Sequence, residues 1–265
     1  MKNILLLVHD DIGQEARFQA ALDVTRAVNG HLKCLDVVSL YISPINVAEG
    51  SSLVLDFARK AEAENKVRLL ERLRAEDVSW EWDDRCGFIA SALRDAADLA
   101  DLIVVNRRLD EYPIPDMDRI AGDILVKSNK PVLAIPADSY GFQVAGPALV
   151  AWDGSSAAAA ALTAAVPLLK LASSVIILEV EDGSIESPAE EAASYLSLHD
   201  IHPEIVQEKT DNKRASDLVL AHAKSGRFTY LVMGGFGHLR FVEALFGGVT
   251  QSVLNHSPIP VFLAH

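Results

Sequence analysis

Cysteine is scarce in this chain, and the scarcity removes two classes at once. Cys34 and Cys86 are the only two among 265 residues, too few for a disulfide framework and without metal-ligand spacing between them. Both read as buried or incidental thiols. Long apolar runs are missing as well: none approaches the roughly 18 residues that a membrane span requires. Met1 to Val8 is apolar but is broken at once by His9, Asp10 and Asp11. It therefore lacks the apolar length and cleavage site of a signal peptide, and the expected location is the cytoplasm. Positive charge is short too, with 24 Lys and Arg against 37 Asp and Glu and a formal net charge of -13. That balance opposes a polyanion and no local basic patch offsets it, so neither nucleic acid nor a membrane is an expected partner. A small anion held by backbone groups remains permitted.

Motifs of catalysis are equally sparse. No Walker-A pattern occurs, which excludes a P-loop ATPase on motif grounds, and G-x-S-x-G is absent. Ser155 and Ser156 follow Asp153 with no histidine at a plausible position to activate them. His199 and His202 flank Asp200 in an expected helix-to-strand loop with no cysteine near, so no metal is expected there. Glu62, Glu64, Lys66, Arg68, Glu71, Arg72 and Arg74 read as one solvated helix face.

What is present is an internal repeat. The chain is 50% apolar, enough for a sizeable core in one large or two ordinary domains. Asn3 to Asp10 resembles Ala148 to Asp153, each an apolar strand ending in aspartate before a small-residue turn and a helix. In the first half the periodicity predicts helices over 17–28, 53–73 and 89–99 and strands over 31–39, 78–82, 102–105 and 131–135. In the second half it predicts helices over 156–171, 188–198 and 213–225 and strands over 174–180, 204–207, 230–233 and 260–263. The two endings also match, Leu125 to Val132 with Leu254 to Val261. Strands that are apolar throughout and alternate with helices call for parallel sheets covered on both faces. The expected fold is α/β, two tandem doubly wound Rossmann-like domains over residues 1–136 and 147–265, joined by a linker over 137–146 that carries Gly141 and Gly146.

The most informative stretch lies in the second half. Gly234 and Gly237 follow the apolar run Tyr230 to Met233, and Gly247 and Gly248 precede Val249, Thr250 and the helical Gln251 to Leu254. Strand, glycine turn and helix is a phosphate-binding order: glycines admit an anion to backbone N–H groups, and a helix N-terminus adds partial positive charge. A tight connection explains the local pattern equally well. The full spacing, Gly234-x2-Gly237-x9-Gly247 followed by a small residue, resembles the nucleotide-binding motif of the universal stress protein family, G-x2-G-x9-G-[S/T]. Gly248 stands where that motif has a hydroxyl residue.

The resemblance covers both halves and is more specific in the second. It implies five-stranded parallel sheets, binding of ATP or a related adenine nucleotide with or without Mg2+, and pairing through the last strands. In a tandem chain Val132 to Ile135 and Val261 to Leu263 would form that seam and make a pseudo-dimer, hiding two sheet edges; a further homodimer stays open. By the same resemblance Asp153 would meet the ribose or the base, Ala151, Val180 and Met233 would surround adenine, and Gly234, Gly237, Gly247, Gly248, Val249 and Thr250 would wrap phosphate and ribose. Asp153 reads equally as a helix cap, and the apolar positions as plain core. His238 and Arg240 read as phosphate contacts or as exposed helix charges. In the first half no glycine follows Val105: Asn106, Arg107 and Arg108 are succeeded by Asp110, Glu111, Asp116 and Asp118, which would repel phosphate. Arg107 and Arg108 read as an anion site or a solvated pair. One nucleotide site per chain is therefore expected, with a regulatory use. The alternatives are a nucleotide-independent dimerisation or interaction module and a slow ATP hydrolase, the last without an evident base or nucleophile.

Overall fold

The computed structural model describes residues 1–39, 51–108, 120–236 and 248–265, with the side chains of Ser39 and of 51–59 excepted. Gly237, Gly247, His238 and Arg240 lie outside the described residues, as do Asp110, Glu111, Asp116 and Asp118. The first half runs β1 (Asn3–Val8), α1 (Gln14–Ala27), β2 (His31–Ser39), α2 (Ser51–Ala75), β3 (Ser79–Gly87), α3 (Ile89–Ala96), β4 (Leu102–Asn106), α4 (Ile120–Ser128) and β5 (Val132–Ile135). The second half repeats it: β6 (Ala148–Trp152), α5 (Ser156–Leu169), β7 (Val175–Glu181), α6 (Ala189–Ser197), β8 (Glu204–Lys209), α7 (Ala215–Ala223), β9 (Tyr230–Gly234), α8 (Gly248–His256) and β10 (Val261–Ala264).

All ten strands join one sheet in the order β3-β2-β1-β4-β5-β10-β9-β6-β7-β8. Every neighbouring pair is parallel except β5 with β10, which run antiparallel with Leu133 opposite Phe262. The seam expected from the last strands is therefore real, and it makes a pseudo-dimer within one chain. Apolar residues on both sides of β1, β4, β5 and β10 require two cores, and two are found. One face is covered by α1, α2, α5 and α6 and the other by α3, α4, α7 and α8, each core continuous across both halves. Closing β5 on β10 leaves β3 and β8 as the sheet's edges. Both are rich in charge, which discourages further strand pairing.

Three details depart from the sequence reading. β3 continues to Gly87, in register with β2 as far as Ser39. Its acids are tolerated because an edge strand leaves room for partners: Asp83 meets Arg85 at 3.0 Å and Lys33 at 3.3 Å, and Asp84 pairs with Lys66. The face of α2 is only partly solvated, since Glu62 is buried and pairs with His9 at 2.6 Å. The connection between the halves is tied down: Phe142 and Val144 are buried, the Phe142 N–H donates to Asp23 Oδ2 at 2.9 Å, and the Phe142 ring packs edge-on to Tyr230.

Candidate functional site

In each half the order of strands reverses between the first strand and the fourth, β1 and β4 in one, β6 and β9 in the other. The crevice beyond their carboxyl ends is where such sheets hold ligands. The second-half crevice is built as follows. Ala151 stands opposite Met233 on one side and Leu178 on the other. Asp153 follows β6 directly, Val180 lies near the end of β7, and Gly234 ends β9. Ala151, Val180, Met233 and Val249 share the apolar core under α7 and α8. Ala151, Asp153, Val180, Met233 and Gly234 are thus brought to one end of three adjacent strands.

Local chemistry fixes each of them. Asp153 Oδ1 accepts the Ser155 N–H at 3.0 Å, and the Asp153 carbonyl accepts the Glu186 N–H at 2.8 Å. The cap of α5 is Ser155, whose hydroxyl accepts from the Ala158 N–H at 3.2 Å, so Asp153 shapes the turn while staying partly exposed. Beside it Trp152 donates its indole N–H to the Ser187 carbonyl at 2.9 Å. Buried Glu179 accepts from the Ala189 N–H at 2.7 Å and from Gln207 at 2.9 Å. These bonds hold the segment after β7 against the Asp153 turn, and sequence reading missed them because both partners sit in different elements.

The glycines separate into two kinds. A Cβ on Gly234 would lie 2.5 Å from the Ala158 nitrogen and 2.7 Å from the Ala157 carbonyl carbon. Those are backbone atoms of α5 and cannot swing away, so the close approach of strand to helix demands glycine here. Gly248 is different: it is exposed, opens α8, and a Cβ there would meet none of the described residues within 4 Å. It opens a nine-residue helix, whose first-turn N–H groups have no partners along the helix itself. Thr250 is buried, and its hydroxyl accepts from the Phe236 N–H at 3.4 Å. It therefore fastens the end of β9 to the first turn of α8.

At the corresponding strand ends of the first half stands a buried charged network. Arg17, fully buried on α1, donates to the Leu7 carbonyl at 2.8 Å, the His9 carbonyl at 2.6 Å, Asp11 Oδ1 at 2.7 Å and Asn106 Oδ1 at 2.5 Å. Asn106 in turn donates to the Gly13 carbonyl at 3.1 Å and the Ile135 carbonyl at 3.3 Å. Asn106 holds the place on β4 that Gly234 holds on β9, and its side chain occupies the space beside Gly13, where an added Cβ would fall 2.6 Å from it. Next to this network burial pushes the Asp36 carboxyl up to about 7, with Glu62 and Asp84 reinforcing the shift and Lys66 and His9 opposing it. Arg107 is not a solvated residue: it is half-buried and donates to the Leu254 carbonyl of α8 at 2.6 Å. Among the described residues no three His, Cys, Asp or Glu side chains are grouped to hold a metal, and no helix is long and apolar enough to cross a membrane.

Comparison with known proteins agrees with this architecture. The sequence profile of the universal stress protein family matches residues 146–265. No curated protein matches the sequence. Among solved structures, a universal stress protein from Archaeoglobus fulgidus is 19% identical with a TM-score of 0.77, over 99% of this chain and 95% of that one. A putative universal stress protein from Pseudomonas aeruginosa is 18% identical with a TM-score of 0.60, over 100% and 93%. The cytoplasmic domain of a prokaryotic cation chloride cotransporter is 12% identical with a TM-score of 0.50, over 99% and 95%. At these identities the structures attest the fold over both halves.

Proposed function

Residues 146–265 belong to the universal stress protein family and the first half duplicates their fold, and from this premise we propose that the chain binds ATP or a related adenine nucleotide in its second-half crevice, with occupancy serving regulation and not catalysis. The observation that supports the reading is that Ala151, Val180 and Met233 share one apolar group with Val249 at the start of α8, with Asp153 just beyond β6 and Thr250 tying α8 to the end of β9. Each part suits one portion of such a ligand. An apolar wall suits a base, a carboxylate suits paired ribose hydroxyls, and free helix N–H groups with a favourable dipole suit phosphate. Gly248 lacks the family's hydroxyl, and a neutral hydrogen bond is worth about 0.5–1.5 kcal/mol, so its loss weakens the grip by about tenfold at most.

The buried charged network of the first half leaves one site per chain. The interaction-module reading draws on one observation: Gly234 is already required by α5 packing, so that glycine alone is no sign of a ligand.

Titration calorimetry with ATP, ADP and AMP, with and without magnesium, tests the proposal against a Gly248→Asp variant. The new side chain favours the helix electrostatically and repels phosphate. Heat from the native protein that disappears in this variant is the expected result. No heat from the native protein at millimolar nucleotide would leave the interaction module as the function.

A further inference from the structure

The second-half motif is held at both flanks by the first half, across the β5–β10 seam. At the near flank Phe236, in a left-handed backbone conformation with φ 57°, lies against α4 of the first half. A Cβ on buried Gly122 would come within 2.8 Å of the Phe236 ring, so the ring occupies the place that any larger residue on α4 would take. At the far flank Arg107 donates to the carbonyl of Leu254 at 2.6 Å. That carbonyl would ordinarily accept from the residue four positions on, which is Pro258 and has no N–H. It is one of the orphan acceptors at a helix end, and a guanidinium suits it both as donor and as a cation at the negative end of the dipole. Arg107 stands just beyond β4, where the second half has Gly235. Each follows the same backbone bond, Arg107 N–H to the Ile135 carbonyl and Gly235 N–H to the Ala264 carbonyl, both at 2.9 Å.

From this we infer that the first half is a built-in organiser of the second-half site: Gly122 seats the end of β9 through Phe236, and Arg107 caps the helix whose N-terminus is Gly248 to Thr250. The replacement of glycine by Arg107, which spoils a phosphate turn in its own half, supplies the cap that the other half lacks. Thr250 closes the arrangement, since its hydroxyl joins α8 to the Phe236 N–H. Arg107 and Gly122 are positioning residues, not ligand contacts. The inference rests on the proposed nucleotide site for its functional consequence, while the structural clasp stands independently of it.

The test compares the native full chain with Arg107→Ala, Arg107→Lys, Gly122→Val and a control, Leu73→Ala, which opens the core under α2. Amide hydrogen exchange of residues 248–256 reads the clasp without ligand, and ATP titration reads its consequence. Arg107→Ala and Gly122→Val are expected to speed exchange in that helix and to weaken ATP binding by about tenfold, the worth of one charge-assisted bond. Arg107→Lys, which keeps a donor, recovers most of both, and Leu73→Ala loses stability without changing either. Unchanged exchange in Arg107→Ala and Gly122→Val overturns the clasp. Faster exchange with unaltered ATP affinity overturns its role at the site. Absence of ATP binding in the native protein contradicts the nucleotide reading and the site role together, while the exchange arm still decides the clasp.

Discussion

The two halves solve the same packing problem at the end of their fourth strand in opposite ways. In the second half the strand residue is Gly234, and the backbone of α5 closes directly onto it. In the first half the strand residue is Asn106, the helix side is relieved by Gly13, and Arg17 is drawn in to satisfy the amide and the carbonyls around it. One arrangement brings backbone against backbone and the other places a buried charge at the same point. On the proposed reading, one half holds the ligand and the other holds that site in shape.

The largest effect is expected from breaking the buried charged network. Arg17→Ala leaves Asp11, Asn106 and two carbonyls without their buried partner, and removing one member of a buried charged network costs roughly 3–5 kcal/mol. Chemical denaturation should show that loss with little change in nucleotide affinity, because the network lies in the other half. Next is Gly234→Val, where a Cβ collides with backbone atoms of α5. Overpacking of this kind costs about 1–3 kcal/mol. A fall in melting temperature without nucleotide is therefore expected, so that variant alone cannot serve as a probe of phosphate binding.

The comparison is sharpened by Gly248→Ser, which returns the hydroxyl of the family motif to its position. An increase of nucleotide affinity by up to about tenfold is expected by calorimetry, with stability unaltered. A further effect is one of pH. Asp36 is held protonated in the folded chain up to about 7, against 3.8 ordinarily. The unfolded chain releases that proton first, so native stability falls relative to Asp36→Asn as pH rises from 3.8 toward 7, and the deficit persists above it. Paired melts of native and variant protein across that range check the sign; a deficit that grows toward acid pH would reverse it.

The sheet architecture was legible because apolar runs such as Leu102 to Val105 and Val261 to Leu263 state their burial on both faces, and because the halves repeat one another. The seam came from the resemblance, which implies pairing through the last strands, Val132 to Ile135 and Val261 to Leu263. The placing of Asp153, Ala151 and Met233 at neighbouring strand ends came from the family resemblance, and the strand register agrees with it. What stayed hidden depends on residues far apart in sequence. Arg17 read as one more helix residue and Glu62 as one more solvated charge, since nothing local reveals that β1 and β4 end beside one and His9 beside the other. Arg107 likewise carries no local signal of a helix cap 147 positions away, although Pro258 does announce that one carbonyl of α8 needs a partner.

Native mass spectrometry of the intact chain with ATP measures the central claim directly, because it counts ligands per molecule. One adenine nucleotide per chain, lost in Gly248→Asp and kept in Arg17→Met, is the predicted result. Two nucleotides per chain, or one that survives Gly248→Asp, would contradict the division of labour between the halves.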